Sequence, residues 1–161
     1  MIILAIDPGS KQSGWVRWDT SRNVVLGASI SPNSDVRTMV SQCIGREEVA
    51  IEVIRGYGIV AGDDTFDTCI WIGRFDPDEN AMLIPRKDIK RHLCGNTTTN
   101  DKYVRQALID RLGEQGTKKA PGPLFGIAGH MWAALAVAVC AADRLLNNEK
   151  LSGTGHGHKQ Q

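Results

Sequence analysis

The chain has 161 residues, of which 42% are hydrophobic, and its 19 lysines and arginines nearly balance 18 acidic residues, for a net charge of +1. This length allows one domain with a substantial core and is too short for two ordinary domains, so we expect a single domain over residues 1–150. The longest apolar run, residues 131–142, falls short of the about 20 residues that cross a bilayer, and no signal peptide is evident, which predicts a cytoplasmic protein without a membrane association.

The N-terminal half predicts three strands, a helix and a fourth strand. Segments of strand-forming residues at 2–6, about 13–19 and about 22–30 are separated by turn-forming residues, which predicts an antiparallel meander. Asn33 or Ser34 can cap a helix that runs to about residue 44, and another strand covers residues 48–54.

Two of these strands carry an acidic residue at an unusual place. Asp7 closes the apolar run of the first strand and is followed by the turn sequence Pro-Gly-Ser, and a carboxylate at a sheet rim suits metal or phosphate chemistry. In the fourth strand, alternation places Glu52 on one face with Ala50 and Ile54, where an unpaired charge needs a cation, a donor or a proton. The alternatives are an Asx turn or a helix cap for Asp7 and a solvated strand face for Glu52.

The C-terminal half predicts four helices and one short strand. Asp63 or Asp64 starts a helix with Phe66, Ile70 and either Trp71 or Phe75 turned inward. The later elements, in chain order, are a strand over residues 81–84, a helix from Pro85 that Gly95 ends, a helix capped by Asn100 and ended by Gly113, a loop over residues 115–127, and an apolar helix over about residues 128–147. Residues 151–161 are polar and glycine-rich, which predicts a flexible tail.

Basic residues are concentrated in one part of the sequence. Residues 86–119 hold nine lysines and arginines against four acidic residues, a local charge of +5 in a nearly neutral chain. Such a segment is either an ordinary solvated surface or an electrostatic footprint for phosphates, and its distance from the two acidic residues decides between them.

Five segments, taken in order, resemble the RuvC-type Holliday-junction resolvases of the ribonuclease H-like superfamily. They are Ile6-Asp7-Pro8-Gly9, Ile51-Glu52, Ile89-Lys90 leading to Gly95, Asp101-Lys102-Tyr103-Val104, and the helical run from His130 to Ala138. The resemblance covers most of residues 1–145, and the chain is most similar to phage-encoded members through residues 69–75 and 116–123. The Asp-x-Gly element alone also resembles the phosphate loop of the actin and sugar-kinase superfamily, but that fold needs two lobes and about twice the length.

The resemblance implies an α/β fold, with a mixed five-stranded sheet flanked by helices, and two-metal hydrolysis of DNA phosphodiesters. Asp7 would bridge two Mg²⁺ ions and Glu52 would bind one of them. Lys90 and Lys102 would contact DNA phosphates, and Lys102 would also stabilise charge that develops at the scissile group. The wider set of expected DNA-binding residues is Lys87, Lys90, Arg91, Lys102, Arg105, Lys118 and Lys119, together with Tyr57, which either stacks on unpaired bases or packs over its own loop.

The final helix departs from the family pattern, in which many relatives carry two acids spaced i and i+3. Here these positions hold His130 and Ala133. A neutral imidazole near a helix N-terminus can bind a metal, so His130 can replace one carboxylate, whereas Ala133 cannot replace the other. The reduced negative charge predicts weaker binding of the second metal, with lower activity or a preference for Mn²⁺. The alternative is that His130 only caps the helix.

The function expected on this basis is a metal-dependent, structure-selective endonuclease that resolves four-way (Holliday) junctions and other branched DNA. Paired nicks in a two-fold symmetric junction need two active sites, so a homodimer is expected. The alternatives are a less selective phage nuclease that debranches flaps and forks, and a catalytically weakened junction-binding protein, which the missing acid at Ala133 would explain.

Overall fold

The computed structural model describes residues 1–43, 45–56, 58 and 60–153, and this part of the chain forms five strands and five helices. The strands are β1 (Ile2–Asp7), β2 (Gln12–Asp19), β3 (Val24–Pro32), β4 (Glu48–Val53) and β5 (Met82–Pro85). The helices are α1 (Asn33–Cys43), α2 (Asp63–Phe75), α3 (Arg86–Cys94), α4 (Asp101–Leu112) and α5 (Met131–Gly153). None of the helices in these ranges combines the length and apolar character that crossing a membrane requires.

The five strands form one mixed sheet in the order β3-β2-β1-β4-β5. The first three strands are antiparallel neighbours, whereas β4 is parallel to β1 and β5 is parallel to β4. The predicted meander and the predicted mixed five-stranded α/β fold are therefore confirmed. Because β1, β4 and β5 are parallel, their carboxyl ends meet at one edge of the sheet.

The sheet is covered on both faces, and strand alternation divides the apolar residues between two cores. Ile3 and Ala5 of β1 belong to the larger core, which packs against the buried Ala134 to Ala142 stretch of α5 and against α3 and α4. Leu4 and Ile6 point the other way, into a smaller core formed with α1 and α2. The alanine-rich side of α5 lets that helix lie close to the sheet. The residues at the start of the helix therefore lie near the end of β1 and the start of β2.

A buried polar network fixes the turn that follows β1. Ser13 Oγ donates to Asn33 Oδ1 at 2.7 Å, Asn33 Nδ2 donates to the carbonyl of Gly9 at 2.9 Å, and the Gly9 N–H donates to Ser13 Oγ at 3.3 Å. The side chain predicted to cap α1 is thus hydrogen-bonded to the turn between β1 and β2. Because each of these buried polar groups has a partner, the backbone next to Asp7 is held in one position.

The predicted ends of α3 and α4 are confirmed. Gly95 adopts the left-handed conformation at φ 69° and its N–H bonds to the carbonyl of Arg91 at 2.8 Å, which ends α3. Asn100 Oδ1 accepts from the backbone N–H of Lys102 at 3.1 Å, which begins α4.

Two helix predictions differ from the structure. Phe66 and Ile70 of α2 were expected to face inward, but they are 59% and 51% exposed, because α2 packs on the sheet through Thr68, Trp71 and Phe75 instead. The last helix starts at Met131, three residues later than expected, and continues to Gly153, past the expected end near residue 147. The predicted tail from residue 154 onwards lies outside the described residues.

Candidate active site

Asp7 and Glu52 stand side by side at the sheet edge where the parallel strands end. The parallel register pairs Ile6 with Ile51, so the residues that follow them are neighbours, and alternation directs both carboxylates to the face covered by α5. The Asp7 side chain is 13% exposed and the Glu52 side chain 15% exposed. Glu52 is therefore mostly buried, as its apolar strand neighbours predicted, and does not lie on a solvated face.

The two carboxylates open into one cleft of about 610 Å³. It lies between the sheet edge, the start of α4 and the start of α5. The other residues that line it are Arg86, Asp101, Lys102, Val104, Arg105, Gly129, His130, Trp132 and Ala133. The candidate catalytic residues are thus brought together from β1 (Asp7), β4 (Glu52), α4 (Lys102) and the turn before α5 (His130).

His130 contacts Asp7 directly. Its Nδ1 lies 2.8 Å from Asp7 Oδ2, and its backbone carbonyl accepts a hydrogen bond of 3.1 Å from the N–H of Ala134 in the first turn of α5. The backbone of His130 therefore begins the helix, while its imidazole faces the site rather than the helix N–H groups. The close approach depends on Gly14 of β2, the cross-strand partner of Asp7, because a Cβ there would lie 2.7 Å from atoms of His130.

Glu52 is held by a cation that the sequence did not suggest. Arg86 follows Pro85 at the end of β5, next to β4, and its guanidinium donates to Glu52 Oε2 at 2.9 Å and to Asp101 Oδ1 at 2.9 Å. Lys90 lies 3.2 Å from the same Asp101 oxygen. Arg86 and Asp101 are the site residues that sequence reasoning missed. The available signal was that Arg86 directly follows a strand that ends at the same edge as Asp7 and Glu52.

Burial and neighbouring charges shift the pKa values of these acids in opposite directions. Burial raises the pKa of Glu52 to about 7, against the opposing effect of Arg86. Burial also raises the pKa of Asp7, although the hydrogen bond from His130 acts against it. For Asp101, burial is the largest single influence and acts to raise the pKa, but the combined effects of Arg86 and Lys90 outweigh it and hold the pKa below the usual value.

The donor set in the cleft fits a hard divalent cation in its chemistry. Two carboxylates and one imidazole are ligand types that bind Mg²⁺ or Mn²⁺. Within the described ranges, however, no three His, Cys, Asp or Glu side chains are close enough together to form a metal-binding group. Instead, Asp7 is bonded to His130 and Glu52 to Arg86. Ala133 lines the cleft without offering a ligand.

Part of the basic segment reaches the acidic pair. Lys102 and Arg105 line the cleft, and the Arg105 guanidinium lies 4.5 Å from the centre of the Trp132 ring and donates to Gln115 Oε1 at 2.6 Å. Lys102 Nζ lies 4.8 Å from the centre of the Tyr103 ring. These cations stand where a phosphate that entered the cleft would meet them.

The other predicted DNA-binding residues do not line this cleft. Lys90 is linked to it through Asp101, whereas Lys87 and Arg91 lie elsewhere along α3. Lys118 and Lys119 are exposed at the tip of a turn. Two backbone hydrogen bonds between residues 117 and 120, of 2.9 and 3.1 Å, close this turn. Tyr57 lies outside the described residues.

Comparison with solved structures identifies the type of fold. No protein-family model and no curated protein sequence matches the chain. Among solved structures, RuvC from Thermus thermophilus is similar with a TM-score of 0.64 and 19% identity, over 90% of this chain and 96% of that protein. The T. thermophilus RuvC structure in complex with a Holliday junction substrate gives a TM-score of 0.62 and 18% identity, over 88% of this chain and 93% of the other. The chain therefore has the RuvC type of ribonuclease H-like fold.

Proposed function

We propose that this chain is a divalent-metal-dependent endonuclease that cleaves four-way DNA junctions and other branched DNA. The observation that carries the proposal is the joint position of Asp7 and Glu52, two buried carboxylates in a cleft that Lys102 and Arg105 also line. Buried carboxylates call for a cation, and the lysine and arginine suit a phosphate. The cleft thus offers both kinds of partner that a phosphodiester and its metal ions need.

In this mechanism Asp7, Glu52 and His130 would hold Mg²⁺, with Mn²⁺ as the alternative. When bound, two such ions activate the attacking water and stabilise the leaving 3′ oxygen. Lys102 and Arg105 would bind the phosphates on either side of the scissile bond, which fixes the strand in the cleft. Lys102 would also neutralise charge that develops on the phosphoryl oxygens.

We propose further that the protein acts as a homodimer, because a four-way junction is two-fold symmetric and paired nicks need two sites. Phe66 and Ile70, exposed on one side of α2, supply an apolar surface for such contact. The similarity of residues 69–75 and 116–123 to phage-encoded resolvases favours an enzyme of that type, working in the cytoplasm of the host.

Two other functions fit part of the structure. A nuclease that debranches flaps and forks would use the same cleft with less selectivity for junctions. A junction-binding protein with little activity would explain why Ala133 offers no ligand and why Asp7 and Glu52 are engaged by His130 and Arg86.

Cleavage of synthetic junctions, forks and flaps, resolved on gels with Mg²⁺ or Mn²⁺, tests these functions. We expect junction cleavage by the parent protein and a loss of at least about a hundredfold in Asp7→Asn, with junction binding retained, because the metals serve chemistry more than docking. Glu48→Gln is the matched control, since Glu48 is an exposed acid on the same strand as Glu52. Undiminished cleavage by Asp7→Asn would refute the metal assignment. Equal rates on all substrates would favour the debranching nuclease, and binding without cleavage the weakened binder.

A further inference from the structure

Arg86 forms a bridge between two acidic residues of the cleft. One nitrogen of its guanidinium is bonded to Glu52 at the end of β4, and another to Asp101 at the start of α4, each at 2.9 Å. The Arg86 side chain is 28% exposed, so most of it is enclosed. Within the described part of the chain, Arg86 is the cation paired with Glu52.

A metal ion at Glu52 would meet this guanidinium. The Glu52 oxygen that accepts from Arg86 cannot at the same time offer that lone pair to a metal. A divalent ion a few ångströms from an arginine is also repelled, and the repulsion is strong in a partly buried cleft. Metal binding at Glu52 is thus in competition with the Arg86 pair.

Arg86 has another partner when it leaves Glu52. Asp101 is largely exposed, lies at the mouth of the cleft and already accepts from Arg86 and Lys90. A DNA phosphate in the cleft would be a further acceptor, since guanidinium binds phosphate in a bidentate manner. If the Arg86 guanidinium turned from Glu52 towards Asp101 and a phosphate, Glu52 would become free and the arginine charge would still be paired.

We propose that Arg86 is a positioning residue that occupies Glu52 in the absence of DNA and releases it for metal when a phosphate enters the cleft. The inference rests on the proposed function and adds a coupling to it: metal loads best where a DNA strand is present. The coupling is reciprocal, so bound metal also frees Arg86 for the phosphate. Asp101 holds the guanidinium within reach of both partners.

Two binding measurements on Arg86→Gln test this assignment. Mn²⁺ binding without DNA, followed through the free-ion electron paramagnetic resonance signal, should tighten about tenfold because a competing cation is removed from Glu52, whereas loss of a residue that supports a metal ligand weakens binding. Binding of a four-way junction in EDTA, where no cleavage occurs, should weaken about tenfold because a phosphate partner is lost. A merely structural role for Arg86 would weaken both.

The matched control is Arg17→Gln. Arg17 pairs with Glu47 at 2.9 Å, with side-chain exposures of 35% and 14% that resemble the 28% and 15% of the Arg86 and Glu52 pair, but it lies away from the cleft. We expect both affinities of this control to equal those of the parent. If thermal unfolding shows that Arg86→Gln is not folded, Arg86→Lys decides, because lysine keeps the charge but lacks the rigid five-donor fork of arginine, and it should give changes of the same sign but smaller size.

Three results would overturn the inference. Mn²⁺ affinity that is unchanged or weaker in Arg86→Gln, with the parent binding normally, would show that Arg86 does not compete for Glu52. Unchanged junction affinity would show that Arg86 does not contact DNA. If neither the parent nor Arg86→Gln binds Mn²⁺, the proposed metal site itself is wrong and the inference falls with it.

Discussion

At the scale of single residues, the sequence predicts the acids of the site better than their partners. Asp7 and Glu52 are recognisable because each interrupts or ends an apolar strand, and that property is local. Arg86 and Asp101 are not recognisable in the same way, because their importance depends on which strand and helix ends meet. Gly14 has the same dependence, since its lack of a side chain matters only where β2 passes His130.

The positions of His130 and Ala133 make the metal site testable by substitution. Both line the cleft, so Ala133→Asp would place a carboxylate beside the acidic pair. We expect this variant to bind Mn²⁺ about tenfold more tightly than the parent, and His130→Ala to bind it about tenfold more weakly, because each change adds or removes one ligand. Calorimetric titration with Mn²⁺ measures both.

Ala133→Asn is the control for side-chain size, since it fills the same space without a charge. Equal Mn²⁺ affinities for Ala133→Asp and Ala133→Asn would mean that no metal lies near that position. If His130→Ala bound Mn²⁺ as tightly as the parent, the His130 imidazole would be a hydrogen-bond partner of Asp7 and not a metal ligand.

At the scale of elements, periodicity predicts where strands and helices lie but not always which side of a helix is buried. α2 carries two stripes at helical spacing, one through Thr68, Trp71 and Phe75 and another through Phe66, Ile70 and Gly73. The sheet buries the first, although the second contains two of the larger apolar side chains. Which stripe faces the core follows from the direction in which α2 leaves β4, and the sequence does not determine that direction.

The exposed stripe of α2 predicts the surface through which two copies associate. We expect Phe66→Asp to convert a dimer into a monomer in sedimentation equilibrium, because a charge would be buried in the contact. Leu146→Asp is the matched control, since Leu146 is 44% exposed on α5 and lies outside this stripe. The surface is excluded if Phe66→Asp sediments with the same mass as the parent, or if the parent itself is a monomer.

At the scale of the whole molecule, the two acids of the cleft cost the fold some stability. The core on the α5 face is apolar over the length of the sheet and ends at two acids, both with a raised pKa. Natural proteins accept such unfavourable groups where function needs them. The net charge of +1 does not reveal this arrangement, because it is a sum over the whole chain. The acids of the sheet edge and the basic residues of α3 and α4 are also far apart in sequence. Periodicity therefore predicted the separate strands and helices and the family resemblance implied the mixed sheet, but neither gave the charge balance of the site.

The raised pKa of Glu52 predicts how stability depends on pH. An unfolded chain ionises this carboxyl near its ordinary value of 4.5, whereas the folded protein retains the proton up to about 7. Between these values the folded state binds more protons, so the free energy of unfolding of the metal-free protein should fall as pH rises from about 4.5 to about 7 and then level off. The loss from this one group is at most about 3.5 kcal/mol, on the scale of roughly 1.4 kcal/mol for each pKa unit.

Glu52→Gln should remove most of this pH dependence, because the amide carries no charge to bury and can still accept from Arg86. Asp7 shifts in the same direction and would leave a smaller slope. Urea unfolding of the metal-free protein at several pH values between 4.5 and 8 measures the effect, with Glu48→Gln as the exposed control that should follow the parent. Parallel curves for Glu52→Gln and the parent would show that Glu52 is ionised at no cost in the folded protein, with the Arg86 pair fully offsetting its burial.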